Sequence, residues 1–494
     1  MKLYGFVNSL QRGNCAAAKT MGTICPLFLP HRPVNLCCMT QVVEIPLWLF
    51  VLIVIFAAVT FASHFLFPSV RWFFRRRLER AVSRLNERLT RPIEPFKLAR
   101  RYDMIQRLIY DPEVTQEIVN YAQAHNVPEN VAFEKARSYA REIVPSFSAF
   151  TYFGLGTRMA RMLVNAIYEV WTGPRNDEVI QSIPKESTIV FIMNHRSNMD
   201  YVLVTYLAAR TSALSYAVGE WARVWPLSRL IRMMGAYFIR RRSRGALYRK
   251  VLARYVQMAT AGGVAQGIFP EGGLSLTGHL KPPKMGLLSY LVDGFRPEGR
   301  DIVFVPVAIN YDRVLEDRVL VAAAERGDRR FGARITVVVG FILRKFWQGL
   351  RGRYVRFGTA AVSFGVPLSL AEFGTERPVE ELAEELMDRI EKVMPVLVVP
   401  LLCKRLQEAQ TPLETDALTK ALTTDAATLG SDMPQFTPEE LGVAVNSALG
   451  RLKRHGMVDE TPEGWILVAE EASLAAYYAN SIAHRFPEQR AVAE

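Results

Sequence analysis

The sequence predicts an α/β domain set between helical regions, with one apolar helix near the N-terminus long enough to span a membrane. Three observations predict this. Between residues 188 and 364, short apolar runs alternate with helical patterns, the sequence form of strands joined by crossover helices. On either side, apolar residues recur at threes and fours. Residues 45–67 contain no Asp, Glu, Lys or Arg. The chain therefore divides into a tail at 1–44, a transmembrane anchor at 45–67, a helical region at 68–184, an α/β domain at 185–370 and a helical C-terminal region at 371–494.

The tail has no clear periodicity and several Gly and Pro, so it is expected to be disordered, with Met39 as an alternative start. The anchor is long enough for a bilayer. A core helix is seldom apolar all round for so many turns, and a cleaved signal would not be followed by Arg71, Arg75, Arg76 and Arg77. Seven arginines lie within residues 68–88 and only Arg32 within residues 25–44, which predicts a cytoplasmic C-terminal part at the cell membrane. Trp48 and Trp72 are expected at the two interfaces.

With 494 residues, 50% of them hydrophobic, the chain is neither a small disulfide scaffold nor a disordered tail. Its net charge of +13 calls for an anionic partner. Two blocks hold the surplus: residues 71–101, with eleven Lys or Arg against three Glu, and residues 229–254, with nine and no acid. The first suits a phospholipid surface beside an anchor. No recognised nucleic-acid fold signature and no basic segment interleaved with aromatics is found in the α/β domain, so no nucleic-acid partner is expected. Cys15, Cys25, Cys37, Cys38 and Cys403 have no zinc spacing and read as reduced thiols, with no metal.

Strands are expected at 188–193, 214–218, 236–239, 264–269, 302–309, 334–341 and 354–364, and helices between them at 201–210, 223–234, 245–259 and 285–291. Residues 97–110, 114–125 and 150–171 read as helices of the preceding region. The stretch 155–171, with Met159, Met162 and Leu163 beside Arg158 and Arg161, suits either a lipid surface or packing on the core. Residues 434–458 read as a helical module.

Chemistry is concentrated at strand ends. After the first buried strand comes Asn194-His195-Arg196-Ser197-Asn198-Met199-Asp200. On one regular helix His195 and Asp200 would point about 140° apart. They meet only if His195 precedes the helix, and Ser197 as an N-cap provides that geometry. The pair then forms a general base and its orienting carboxyl, suited to deprotonating a hydroxyl that attacks a carbonyl. Three more blocks follow: Gly235 to Arg242, Phe269-Pro270-Glu271-Gly272-Gly273 with Thr277-Gly278 beyond it, and Val305-Pro306-Val307 to Asp312.

These four blocks, in this order, resemble the signature of the glycerolipid acyltransferases over residues 185–370. Arg196 after the His, Tyr201 after the Asp, and the doubled Gly272-Gly273 are similar to the membrane-bound bacterial glycerol-3-phosphate acyltransferases. The resemblance implies a glycerolipid acyltransferase-like catalytic domain and attack by the 1-hydroxyl of glycerol 3-phosphate on the thioester of acyl-CoA or acyl carrier protein. The product would be lysophosphatidic acid for phospholipid biosynthesis, with no cofactor beyond that co-substrate. His195 and Asp200 are the expected catalytic residues. Arg196, Ser197, Arg240, Arg241, Glu271, Gly272, Gly273 and Pro306 are expected to bind substrate, with donors near Gly272 and Gly273 stabilising the oxyanion.

One departure stands out. Where that branch carries Arg-Ser-Arg after the Glu-Gly-Gly block, this chain has Leu274, Ser275 and Leu276. Leu cannot hold phosphate as a guanidinium does. Either Arg196 and residues 240–242, with Lys281 or Lys284, bind the phosphate, or the acceptor is a lysophospholipid or another hydroxyl compound. Two other readings compete: an acyl-enzyme on Ser197, which lacks a Gly-x-Ser-x-Gly elbow, and a catalytically inactive membrane-tethered lipid-binding protein.

Overall fold

The computed structural model describes residues 46–174, 176–208, 211–219, 223–225, 227–240, 245–327 and 356–486. The expected tail, Arg241 and Arg242, and the strand expected at 334–341 lie outside them. Residues up to Arg77 form one compact unit, and those from Leu78 onward form a second that holds the sheet.

Two strands form the centre of that sheet. Thr188–Met193 (β2) and Ile302–Tyr311 (β6) are buried at every position, so no polar face is available and each strand must be covered on both sides. Their side chains alternate accordingly. Ile189, Phe191, Met193, Val303, Val305 and Val307 enter one apolar cluster, whereas Val190, Ile192, Ile302, Phe304 and Ala308 enter another.

Around this pair lie Glu169–Thr172 (β1), Ser215–Gly219 (β3), Tyr237–Ile239 (β4), Gln266–Ile268 (β5), Thr359–Phe364 (β7) and Leu368–Ser369 (β8). The order is β1-β7-β6-β2-β5-β3-β4, with β8 also on β6. Strands β6, β2, β5, β3 and β4 run parallel, whereas β7 and β8 pair antiparallel to β6, so the sheet is mixed. Parallel strands bring their C-terminal ends to one edge, and the loops after β2, β4 and β5 therefore share it.

Helices cover the two faces from different parts of the chain. One cluster receives Leu108, Ile118 and the series Ala132, Ala136 and Ala140 from the N-terminal helices, together with Val251, Leu288 and Leu386. The other receives Val164 and Ile167, then Leu402, Leu422, Leu449, Leu474 and Tyr478 of the C-terminal region. That region also holds a hairpin absent from the sequence expectation, Val458–Thr461 (β9) with Gly464–Leu467 (β10). Residues 169–172, expected to continue a helix, form β1 because the helix Thr157–Ile167 ends and the chain pairs with β7.

The expected transmembrane anchor is not borne out. Leu47–Asn86 is one continuous helix, but among the described residues no helix is long and apolar enough to cross a membrane. The side chains of residues 62–67 lie outside the described set. Helix Thr157–Ile167 fits both sequence readings at once: Ala160, Val164 and Ile167 are buried, while Met159 and Met162 on its other face are exposed.

Candidate active site

The chain leaves β2 through Asn194, whose side chain extends the sheet: Nδ2 donates to the Ile309 carbonyl at 2.9 Å and Oδ1 accepts from the Ile309 amide at 2.7 Å. The next residues cannot continue as strand, and they wrap around Asp200. This carboxyl is fully buried. Its Oδ2 accepts from His195 Nδ1 at 2.9 Å and from the amides of Arg196 and Ser197 at 2.7 and 3.0 Å. Its Oδ1 accepts from the Tyr311 hydroxyl at 2.6 Å. The helix Met199–Ala208 starts where expected, with Ser197 Oγ accepting from the Met199 amide at 3.1 Å.

His195 is 3% exposed, and its ring lies against Phe269 and Tyr201, with centroids 4.3 and 5.3 Å away. Nδ1 is taken by Asp200, whereas Nε2 has no hydrogen-bond partner among the described residues and is not among the fully enclosed unpaired atoms. Nε2 is therefore the ring nitrogen left without a partner among the described residues.

Glu271 fixes the base from the other side. Its Oε1 accepts from the His195 amide at 2.8 Å and its Oε2 from the Lys281 amide at 3.2 Å. Burial raises its carboxyl to about 7, although these two amides and the nearby Arg196 and Lys281 oppose the shift. Phe269 to Gly272 is a turn with Pro270 second and Gly272 fourth, closed by the Gly272 amide donating to the Phe269 carbonyl at 3.0 Å. Gly272 has φ +65°, a left-handed conformation that glycine adopts without strain, and a Cβ there would press on the Lys284 side chain. Its N–H is committed to the turn and cannot serve an oxyanion. The Gly273 N–H has no partner among the described residues and remains the candidate donor.

Not every expected ligand comes to the base. Ser197 donates its hydroxyl to Glu316 Oε2 at 2.8 Å, directing its proton away from His195, which disfavours it as an acyl-enzyme nucleophile. Arg240 pairs bidentately with Glu142 of the helix Glu129–Ile143, through Nη2 to Oε2 at 2.6 Å and Nε to Oε1 at 2.9 Å, and Arg223 joins the same carboxyl at 3.0 Å. Glu142 raises the Arg240 guanidinium further above its ordinary value. Strand β4 is three strands from β2, about 14 Å across the sheet. Pro306 lies within β6 beside Ile192, where β6 changes partner from β8 to β7 and an N–H is dispensable; its carbonyl accepts from Gly365 at 2.8 Å. Arg196 does reach the site and is 2% exposed.

Ser275 of the divergent triplet links its loop to the base, with its amide donating to the His195 carbonyl at 3.0 Å and its Oγ to the His279 carbonyl at 2.7 Å. Leu274 and Leu276 pack against the apolar cluster. Sequence reasoning missed Tyr311 and Glu316 as site residues. Tyr311 prolongs an apolar strand, and its only signal is a hydroxyl two positions beyond Ile309. Glu316 has none. Among the described residues no group of three His, Cys, Asp or Glu side chains is arranged to hold a metal ion.

Residues 175–310 match the acyltransferase family model, and residues 345–493 match the glycerol-3-phosphate acyltransferase C-terminal region. A glycerol-3-phosphate acyltransferase of Aeromonas hydrophila is 30% identical over 368 residues, covering 72% of this chain and 43% of that protein. One of Pseudomonas syringae pv. tomato is 30% identical over 285 residues, covering 56% and 32%. A solved 1-acyl-sn-glycerophosphate acyltransferase from Thermotoga maritima is 19% identical, covers 48% of this chain and 79% of its own, and has a TM-score of 0.27. The chain carries an acyltransferase domain followed by the C-terminal region of the glycerol-3-phosphate acyltransferases. It spans less than half the length of those two curated relatives.

Glu271 yields a prediction with a defined sign. Its folded value of about 7 exceeds the ordinary 4.5, so between those pH values the folded chain holds a proton that the unfolded chain has released. Stability from this group is full below the ordinary value and falls as pH rises to 7, by about 3 kcal/mol at most. Urea unfolding at pH 5 and pH 7 is expected to show a smaller pH effect in Glu271→Gln than in the parent. Equal slopes would contradict the buried-carboxyl account.

Proposed function

We propose that this chain acylates the 1-hydroxyl of glycerol 3-phosphate in a single displacement, taking the acyl group from acyl-CoA or acyl carrier protein and releasing lysophosphatidic acid. The observation that carries the reading is the His195–Asp200 contact of 2.9 Å, which leaves Nε2 as the base. As the acceptor oxygen bonds to the thioester carbonyl carbon, its proton passes to Nε2, and Asp200 stabilises the imidazolium that forms. The carbon–sulfur bond then breaks, and the proton is returned to the leaving thiolate. The Gly273 amide is the donor we assign to the oxyanion. The match to the glycerol-3-phosphate acyltransferase C-terminal region and the names of the two relatives support the acceptor.

A second reading, a lysophospholipid acceptor, is favoured by Leu274 and Leu276, which pack as apolar groups where phosphate-binding arginines are expected. His195→Ala is expected to lower kcat by about 10²- to 10⁴-fold with folding intact. In the parent, glycerol 3-phosphate is expected to outcompete lysophosphatidic acid and other lysolipids as acceptor. Substantial turnover by His195→Ala would remove the base assignment, and preference for a lysolipid would replace the acceptor.

A phospholipid surface belongs to the same proposal. Phe150, Leu155, Met159 and Met162 are exposed beside Arg158 and Arg161, an apolar face with basic neighbours of the kind that lies on anionic lipid. Sedimentation with anionic vesicles is expected to carry the protein down and to weaken in a Met159→Glu, Met162→Glu variant. Protein left in the supernatant at low salt would contradict it.

A further inference from the structure

We infer that Tyr477, on the C-terminal helix Ala472–Ala479, is a second phosphate-binding residue that works with Arg196 and replaces the ligands lost at Leu274 and Leu276. The inference rests on the acceptor being a phosphate monoester. Arg196 donates Nη1 to the Gly278 carbonyl, but its Nε and Nη2 have no partner although both atoms are enclosed. These two N–H groups lie on one edge of the guanidinium, the parallel pair that takes two oxygens of a phosphate. A buried charge with that edge unpaired is costly, and a bound oxyanion relieves the cost.

Tyr477 is the other unpartnered group in the same place. It is 1% exposed, its hydroxyl has no hydrogen-bond partner, and the Arg196 guanidinium sits 4.9 Å from its ring centroid. Burial raises the phenol far above neutrality, so it stays a neutral donor, although Arg196 opposes that shift. The surrounding acids do not compete for Arg196 by hydrogen bond. Asp200 is taken by four donors, Glu316 by Ser197 and Asn198, and Glu271 by the amides of His195 and Lys281.

The C-terminal helix is seated on the catalytic loop. Gly278 has φ +92°, and a Cβ there would collide with the Tyr477 carbonyl, so the loop and helix meet backbone to backbone. Asn480 Nδ2 donates to the Thr277 carbonyl at 2.9 Å beside this contact. Because the open donors are enclosed, the inference requires the helix to move away from residues 275–281 for phosphate to enter. Arg196 directly follows His195 in sequence, so the two residues share the loop that leaves β2. The same chemistry could come from the acceptor or from a phosphate of the acyl donor, and the two are separable by kinetics.

The test uses Tyr477→Phe in the full chain, which keeps the ring and removes the hydroxyl. Losing one hydrogen bond to a charged oxygen is expected to raise KM for glycerol 3-phosphate roughly 10-fold or more, with kcat within about threefold and KM for the acyl donor unchanged. Calorimetry with inorganic phosphate, which needs no turnover, is expected to show the same loss of affinity in Tyr477→Phe and in Arg196→Lys. The double variant should lose less than the two single losses combined. An unchanged phosphate affinity in Tyr477→Phe, or a rise confined to the donor KM, would overturn the inference. If the parent binds phosphate through Tyr477 yet acylates a different acceptor, the proposed substrate fails while this site stands.

Discussion

Asp200 accepts four hydrogen bonds in a place from which water is excluded, and the arrangement of the site follows from satisfying it. Two of the donors are backbone amides, which fold the 195–200 loop around the carboxyl. The third is the phenol of Tyr311, which couples β6 to that loop. The fourth is His195 Nδ1, and this choice of nitrogen leaves Nε2 for the proposed proton transfer. Each such bond to a carboxyl contributes about 1.5–3 kcal/mol, so loss of any one disturbs both the loop and the base. Catalytic orientation and local folding are therefore the same set of contacts.

Strands β2 and β6 supply the frame on which this depends. Their complete burial leaves no register freedom, since a one-residue slip would exchange their two apolar faces. Asn194 then extends the frame by one step, pairing with Ile309 through its side chain where β2 has ended. Glu271 arrives from β5, the other neighbour of β2, and takes the His195 amide. Three adjacent strands thus position one imidazole from three directions. The C-terminal region completes the enclosure through the contact of Tyr477 and Asn480 with the loop at 277–278.

Much of this was legible in the residues. The continuous apolar runs of β2 and β6 have no other stable placement, and the N-capping role of Ser197 followed from the geometry that His195 and Asp200 need to meet. What escaped was non-local. The pairing of Arg240 with Glu142 joins positions 98 residues apart, and no local pattern distinguishes an arginine so neutralised from a free one. Tyr311 reads as one more apolar strand residue until β6 is placed beside β2. Strand β1 follows an amphipathic helix so closely that Ile167 and Trp171 keep helical spacing across the break. The hairpin of β9 and β10 is short and partly charged, so its alternation is weak.

The central claim is that Asp200 holds the neutral His195 imidazole with its proton on Nδ1 and leaves Nε2 bare as the base. Nitrogen-15 NMR of histidine-labelled protein, with the His195 signals assigned by comparison with His195→Ala, measures this directly. The account predicts a protonated Nδ1 and an unprotonated Nε2 in the neutral ring, with the Nδ1 proton lost as a distinct signal in Asp200→Ala. A neutral ring carrying its proton on Nε2 would contradict it.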